Sequence, residues 1–202
     1  MRFHRTSLIK GFILLIIFAS VAIAFDNANP DPSPTGVAPV LFCANCHRDF
    51  PINAGYDLGG DFYIDERDGI DLFKNGYVPG RTYNLRAIIA QPEMTSWGFD
   101  AWVVDANGAT AGRVDGFPER TIVFNAGGVR RVTNEIPLMP FRHEDEPEGP
   151  VGWRFSWTAP ATNIGPVTFF GEGIAANGDH RQTGDYRYVL DGIVVPPAEE
   201  VK

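Results

Sequence analysis

The sequence predicts an all-β domain, a sandwich or barrel, behind an export signal and a short cysteine-containing segment. Three observations predict the fold class. Apolar residues recur with a period of two in several separate runs, turn residues stand between those runs, and 22 glycines and 16 prolines accompany 12% aromatic residues. Period-two alternation turns one face of a strand to a core and the other to water. Several such strands with turns between them make a sandwich or barrel.

In chain order, Tyr83, Leu85, Ala87 and Ile89 alternate with Asn84, Arg86 and Ile88. Trp97, Phe99, Ala101 and Val103 repeat the pattern, and Asp105-Ala106-Asn107-Gly108 supplies a turn. Trp153, Phe155 and Trp157 alternate with Arg154 and Ser156 until Ala159-Pro160 stops the strand. Val167–Phe170 and Tyr186–Leu190 complete the set. The one helix expected is short, from Asp65 to Lys74. Residues 134–152, NEIPLMPFRHEDEPEGPVG, hold four prolines and an acidic run and read as a long surface loop. The sequence shows no internal repeat.

The N-terminus predicts export. Arg2, His4, Arg5 and Lys10 precede an apolar run over 11–24 that ends in Ala22-Ile23-Ala24, a small-x-small site for cleavage before Phe25. The run is short for a bilayer span, which needs about 20 apolar residues, and no later stretch could span a membrane. The expected division is a signal peptide over 1–24 and a flexible Pro/Asp/Asn-rich linker over 25–40. A cysteine segment follows over 41–60, then the β domain over 61–195 and a disordered polar tail over 196–202.

Removing residues 1–24 from 202 leaves 178, enough for one domain with its own core. Arg2, Arg5 and Lys10 leave with the signal, so 14 basic residues face 25 acidic ones, a net charge of −11. That balance excludes a nucleic-acid footprint and favours partners with a basic surface.

The only two cysteines stand in Cys43-Ala44-Asn45-Cys46-His47. A disulfide between them closes almost no chain entropy, so stability is not their use. C-x-x-C-H is the attachment signature of c-type haem. Two thiols three positions apart reach the two vinyl groups on one porphyrin edge, and the next residue offers an imidazole to the iron. The reading is one covalent haem c, with Cys43 and Cys46 in thioether linkage and His47 as proximal ligand of the iron. Two alternatives stay open: a local disulfide, and a metal site on Cys43, Cys46 and His47. A thioredoxin-like role lacks its βαβ unit, and blue copper lacks a suitably spaced methionine.

For the sixth position the candidates are Met139, flanked by prolines in the long loop, and His143, four residues on; an open five-coordinate iron is the third option. Met139 also has the ordinary reading of a core filler at the sandwich edge. Met94 and His180 are weaker, the latter in the turn Asn177-Gly178-Asp179-His180. Asp179 and Asp185 make at most a weak calcium pair, and the run Glu144-Asp145-Glu146-Glu148 reads as solvated charge. The chain lacks G-x-S-x-G, H-E-x-x-H, P-loop and G-x-G-x-x-G motifs, so an enzyme is not expected.

Several motifs resemble reeler (reelin N-terminal-like) domains and their bacterial relatives, the choice-of-anchor V domains. These are Gly76-Tyr77-Val78-Pro79-Gly80 with Tyr83, Trp97-Gly98-Phe99, Ala111-Gly112 and Trp153-Arg154-Phe155-Ser156-Trp157-Thr158-Ala159-Pro160. Gly165-Pro166-Val167-Thr168-Phe169, Ala175-Ala176-Asn177-Gly178-Asp179 and Gly184-Asp185 complete the match, which covers roughly 60–190. The resemblance implies an immunoglobulin-like β-sandwich used as an extracellular binding or interaction module. It also implies a histidine near His143, and choice-of-anchor V proteins often carry a cysteine-containing segment upstream of the sandwich.

Two functional expectations result. The first is an exported single-haem c-type cytochrome, periplasmic, at the cell surface or extracellular, which exchanges electrons with a redox partner protein. The second is an extracellular interaction module whose Cys43–Cys46 pair is a local disulfide or metal site.

Overall fold

The computed structural model describes residues 46–117, 120–134 and 150–199. The stretches expected as signal peptide and linker, with Cys43, Met139 and His143, lie outside the described residues. Among the described residues, ten strands form two antiparallel sheets. The strands are β1 (Asp61–Glu66), β2 (Thr82–Ala90), β3 (Ser96–Val104), β4 (Arg113–Gly116), β5 (Thr121–Ala126), β6 (Val129–Asn134), β7 (Val151–Thr158), β8 (Val167–Ala176), β9 (Tyr186–Val189) and β10 (Ile193–Val195). One sheet has the order β1-β2-β7-β4 and the other β10-β8-β3-β6-β5. Strand β9 also pairs with β8, so β9 and β10 run end to end along one edge of it. The molecule is an all-β sandwich.

The five runs singled out by alternation are β2, β3, β7, β8 and β9. Strand β7 shows why alternation works. Its inward residues Val151, Trp153, Phe155 and Trp157 are buried, while Arg154 between them is exposed. Between the sheets, Phe99 stacks on Trp153 at 4.9 Å and Trp157 meets Phe169 at 4.8 Å, while Tyr83 lies beside Trp157 within its own sheet at 5.8 Å. The Trp157 indole N–H donates to the Ala111 carbonyl at 2.8 Å, so its one polar atom is satisfied in the core.

Three expectations need correction. The helix expected over Asp65–Lys74 is a single turn, α1 (Leu72–Asn75), and Asp65 and Glu66 end strand β1 instead. The Glu66 carboxylate explains the change. It accepts the backbone N–H of Asp68, of Ile70 at 2.8 Å and of Asp71 at 3.1 Å, which satisfies that stretch as a loop. At the ends of the loop expected over 134–152, Asn134 instead closes β6 and Val151 and Gly152 open β7; residues 135–149 lie outside the described residues.

The tail expected to fray from Pro196 is anchored at its start. Tyr77 N–H donates to the Pro196 carbonyl at 2.9 Å, and Ala198 N–H returns to the Tyr77 carbonyl at 2.8 Å. Gly76, with φ 84°, makes this approach feasible, since a Cβ there would stand 2.6 Å from the Pro196 oxygen. Tyr77 itself is fully buried, with its hydroxyl donating to the Gly165 carbonyl at 2.8 Å. Among the described residues, no helix is long and apolar enough to cross a membrane.

Candidate functional site

The described end of the cysteine segment lies against the sandwich, on β9 and the turn before it. Its one regular element is a short 3-10 turn over Ala54–Leu58, so specific side chains hold it. Asn53 does most of this. Its backbone, at φ 65°, donates to the Arg187 carbonyl at 2.8 Å. Its amide nitrogen donates to the Val189 carbonyl at 3.1 Å, and its amide oxygen accepts Val189 N–H at 2.8 Å. Asn53 thus extends the pairing of β9 by one residue's side chain, and asparagine tolerates the left-handed backbone this requires.

Other contacts flank that clamp. The Phe50 ring stacks on Tyr186 at 4.5 Å, with 5° between the planes, and Arg187 donates to the Phe50 carbonyl at 2.9 Å. Gly184 N–H donates to the Asp49 carboxylate at 2.8 Å. A 3-10 turn over Ala54–Leu58 then carries Tyr56 edge-on to Tyr188 at 5.0 Å, and its hydroxyl donates to the Phe62 carbonyl at 3.0 Å. Burial, and then the charges of Asp61 and Asp191, push the Tyr56 phenol up to about 12. Burial also raises Tyr188, whose hydroxyl bonds the Gln91 side chain. Gly55 and Gly60 let the chain pass over that hydroxyl, where any Cβ would collide with it.

At the start of this docked segment stand Cys46 and His47. Cys46 is exposed and has no disulfide partner among the described residues, which do not include Cys43. The His47 ring is about a quarter exposed, and its Nδ1 bonds the Asp185 carboxylate at 2.5 Å. The Asp185 side chain is fully buried, and its other oxygen accepts Asn177 N–H at 3.1 Å. Engagement of Nδ1 leaves Nε2 as the ring atom that can bind a metal.

The donor set fits a c-type haem as far as the described residues reach: an exposed thiol, and beside it an imidazole whose second nitrogen carries a carboxylate. Cys43, which would supply the other thiol, and Met139 and His143, the candidates for the sixth position, lie outside the described residues. The weaker candidates stand apart from this pattern. Met94 is buried in the sandwich core, and His180 is an exposed turn residue at φ 63°. Asp179 closes its own turn by accepting Arg181 N–H at 2.8 Å, while Asp185 serves His47. Among the described residues, no group of three His, Cys, Asp or Glu side chains could hold a metal ion. Asp185 as a partner of His47 escapes sequence reasoning, because 138 positions separate the two.

No protein-family profile matches the chain. No curated protein matches it either. Among solved structures, the human F-spondin reeler domain is similar at 18% identity and a TM-score of 0.45, over 69% of this chain and 89% of that one. The Reelin-N domain of F-spondin is similar at 15% identity and a TM-score of 0.47, over 78% of this chain and 96% of that one. The full-length major pilin SpaD of Corynebacterium diphtheriae is similar at 11% identity and a TM-score of 0.41, over 67% and 35%. Nothing about ligand, partner or activity passes from these chains to this one, because such likeness speaks only to fold.

Proposed function

We propose that this chain is an exported single-haem c-type cytochrome whose β-sandwich carries the haem segment and exchanges electrons with a redox partner outside the cytoplasm. The observation that carries this reading is the signature Cys43-Ala44-Asn45-Cys46-His47 behind a secretory signal. It is supported by the exposed Cys46 thiol beside an imidazole with Nε2 to spare. Bound haem c supplies a reversible one-electron couple.

Cys43 and Cys46 would hold the group by adding across its two vinyl double bonds, each sulfur to one carbon and each thiol proton to the other. His47 would be the proximal ligand, and Met139, or His143 in its place, the distal one. The docked segment over 46–60 presents this edge of the molecule from a fixed position on β9. The net charge of −11 for the chain after residue 24 steers it towards a partner with a basic surface.

The test is production with a c-type maturation system. The protein should be red and should keep haem through a denaturing gel, and Cys43→Ser with Cys46→Ser should abolish both. Met139→Ala should remove the near-infrared sulfur-to-iron band, and His143→Ala should leave it. Colourless protein from a maturation-competent host would sink the cytochrome reading in favour of an extracellular interaction module.

A further inference from the structure

We propose that Asp185 is a positioning residue for His47: it holds the imidazole by Nδ1, fixes the Nδ1–H tautomer and turns Nε2 outward as the metal-binding atom. Its consequence for the iron rests on the haem reading above; its statement about the ring does not.

The two carboxylate oxygens are both committed. One takes the His47 ring at 2.5 Å and the other the Asn177 N–H at 3.1 Å, within a side chain that water does not reach. A buried carboxylate is costly unless such partners satisfy it, so its presence needs a reason. Docking of the segment is not that reason. The Asn53 clamp, the Phe50–Tyr186 stack, the Arg187 bond to Phe50 and the Asp49 bond to Gly184 already hold it to β9 and the adjoining turn. What none of them sets is the rotation of the imidazole and the nitrogen that carries its proton. The Asp185 contact sets both. A ring whose N–H points at a carboxylate is also a stronger electron donor at its other nitrogen, which stabilises the oxidised metal and lowers its potential.

The experiment uses the full chain produced with a c-type maturation system and labelled with nitrogen-15 in histidine. The His47 Nδ1–H should be present and protected from exchange. Asp185→Asn, which keeps an acceptor for Asn177 but removes the charge, should exchange this proton about tenfold faster, the margin between a charge-assisted and a neutral bond. It should also raise the midpoint potential. Asp185→Glu should return both readouts towards the parent. Asn177→Ala frees the turn by breaking its bonds to Thr183 and Asp179 without touching the ring, and should leave both unchanged.

The proposal is overturned if Asp185→Asn matches the parent in exchange and potential, or if Asn177→Ala moves them as far. If Asp185→Asn does not fold, the parent still decides: an Nδ1–H tautomer at His47 supports the assignment and an Nε2–H tautomer overturns it. That tautomer can be read in colourless protein, so loss of the cytochrome reading and loss of this one are separate results.

Discussion

The two sheets of this sandwich treat their outer faces in opposite ways. In the four-stranded sheet, outward residues of β7 such as Arg154 meet solvent, and the Arg86–Asp65 pair at 2.7 Å is more than a third exposed at the arginine. In the six-stranded sheet all ten residues of β8 are buried, as are the outward residues Ser96, Asp100, Trp102 and Val104 of β3. That outer face is also charged. Arg131 pairs with Asp100 at 2.6 Å and approaches Glu172 at 3.6 Å, with all three at most 2% exposed. The guanidinium lies 3.6 Å from the centre of the Trp102 ring, and Trp102 stacks on Phe170. Burial outweighs the pull of Arg131 and, with Glu172 adding to it, pushes the Asp100 carboxyl up to about 7. An alternating pattern therefore describes most of the first sheet, with the buried outward Ile88 of β2 as an exception, and the second only on its inner side.

The largest effect should come from the layer the sheets share. Trp157→Ala removes a fully buried indole and its bond to Ala111. It should cost roughly 3–5 kcal/mol of unfolding free energy in a denaturant titration. A loss below about 1 kcal/mol would mean the sheets do not meet as described.

The next effect separates the outer faces by pH. With its folded pKa near 7 and an ordinary value of 3.8, Asp100 binds more protons folded than unfolded across that window. Its contribution to stability is therefore full below about pH 4 and is lost as pH rises through 7. Asp100→Asn should flatten this part of the stability profile. An unchanged slope in the variant would show that the six-stranded sheet's outer face is wet after all.

The smallest effect belongs to the four-stranded sheet's outer face. A double-mutant cycle on Arg86 and Asp65 should give a coupling of less than about 1 kcal/mol that shrinks with salt, as for other exposed pairs. A larger, salt-insensitive coupling would erase the contrast.

What the sequence made legible divides on the same physical line. Strands β2, β7 and the inner side of β3 were readable because alternation records a solvent boundary, and the cysteine motif because its chemistry is local. Strand β1 was hidden by Asp65 and Glu66, whose charges suit a helix start as well as a strand end. Strands β5 and β6 carried a usable signal that alternation does not weigh: Gly127 and Gly128, both at positive φ, make the two-residue turn that joins them. The Asp100–Arg131–Glu172 cluster and the Asp185–His47 bond were not readable, because each depends on strands brought together from distant parts of the chain.

The most direct test of the haem reading is the intact mass of the exported protein from a host that matures c-type cytochromes. The account predicts a chain beginning at Phe25 with the added mass of one haem, and no such addition once Cys43 and Cys46 are serine. A bare polypeptide mass, or one lighter by the two hydrogens of a Cys43–Cys46 disulfide, would contradict it.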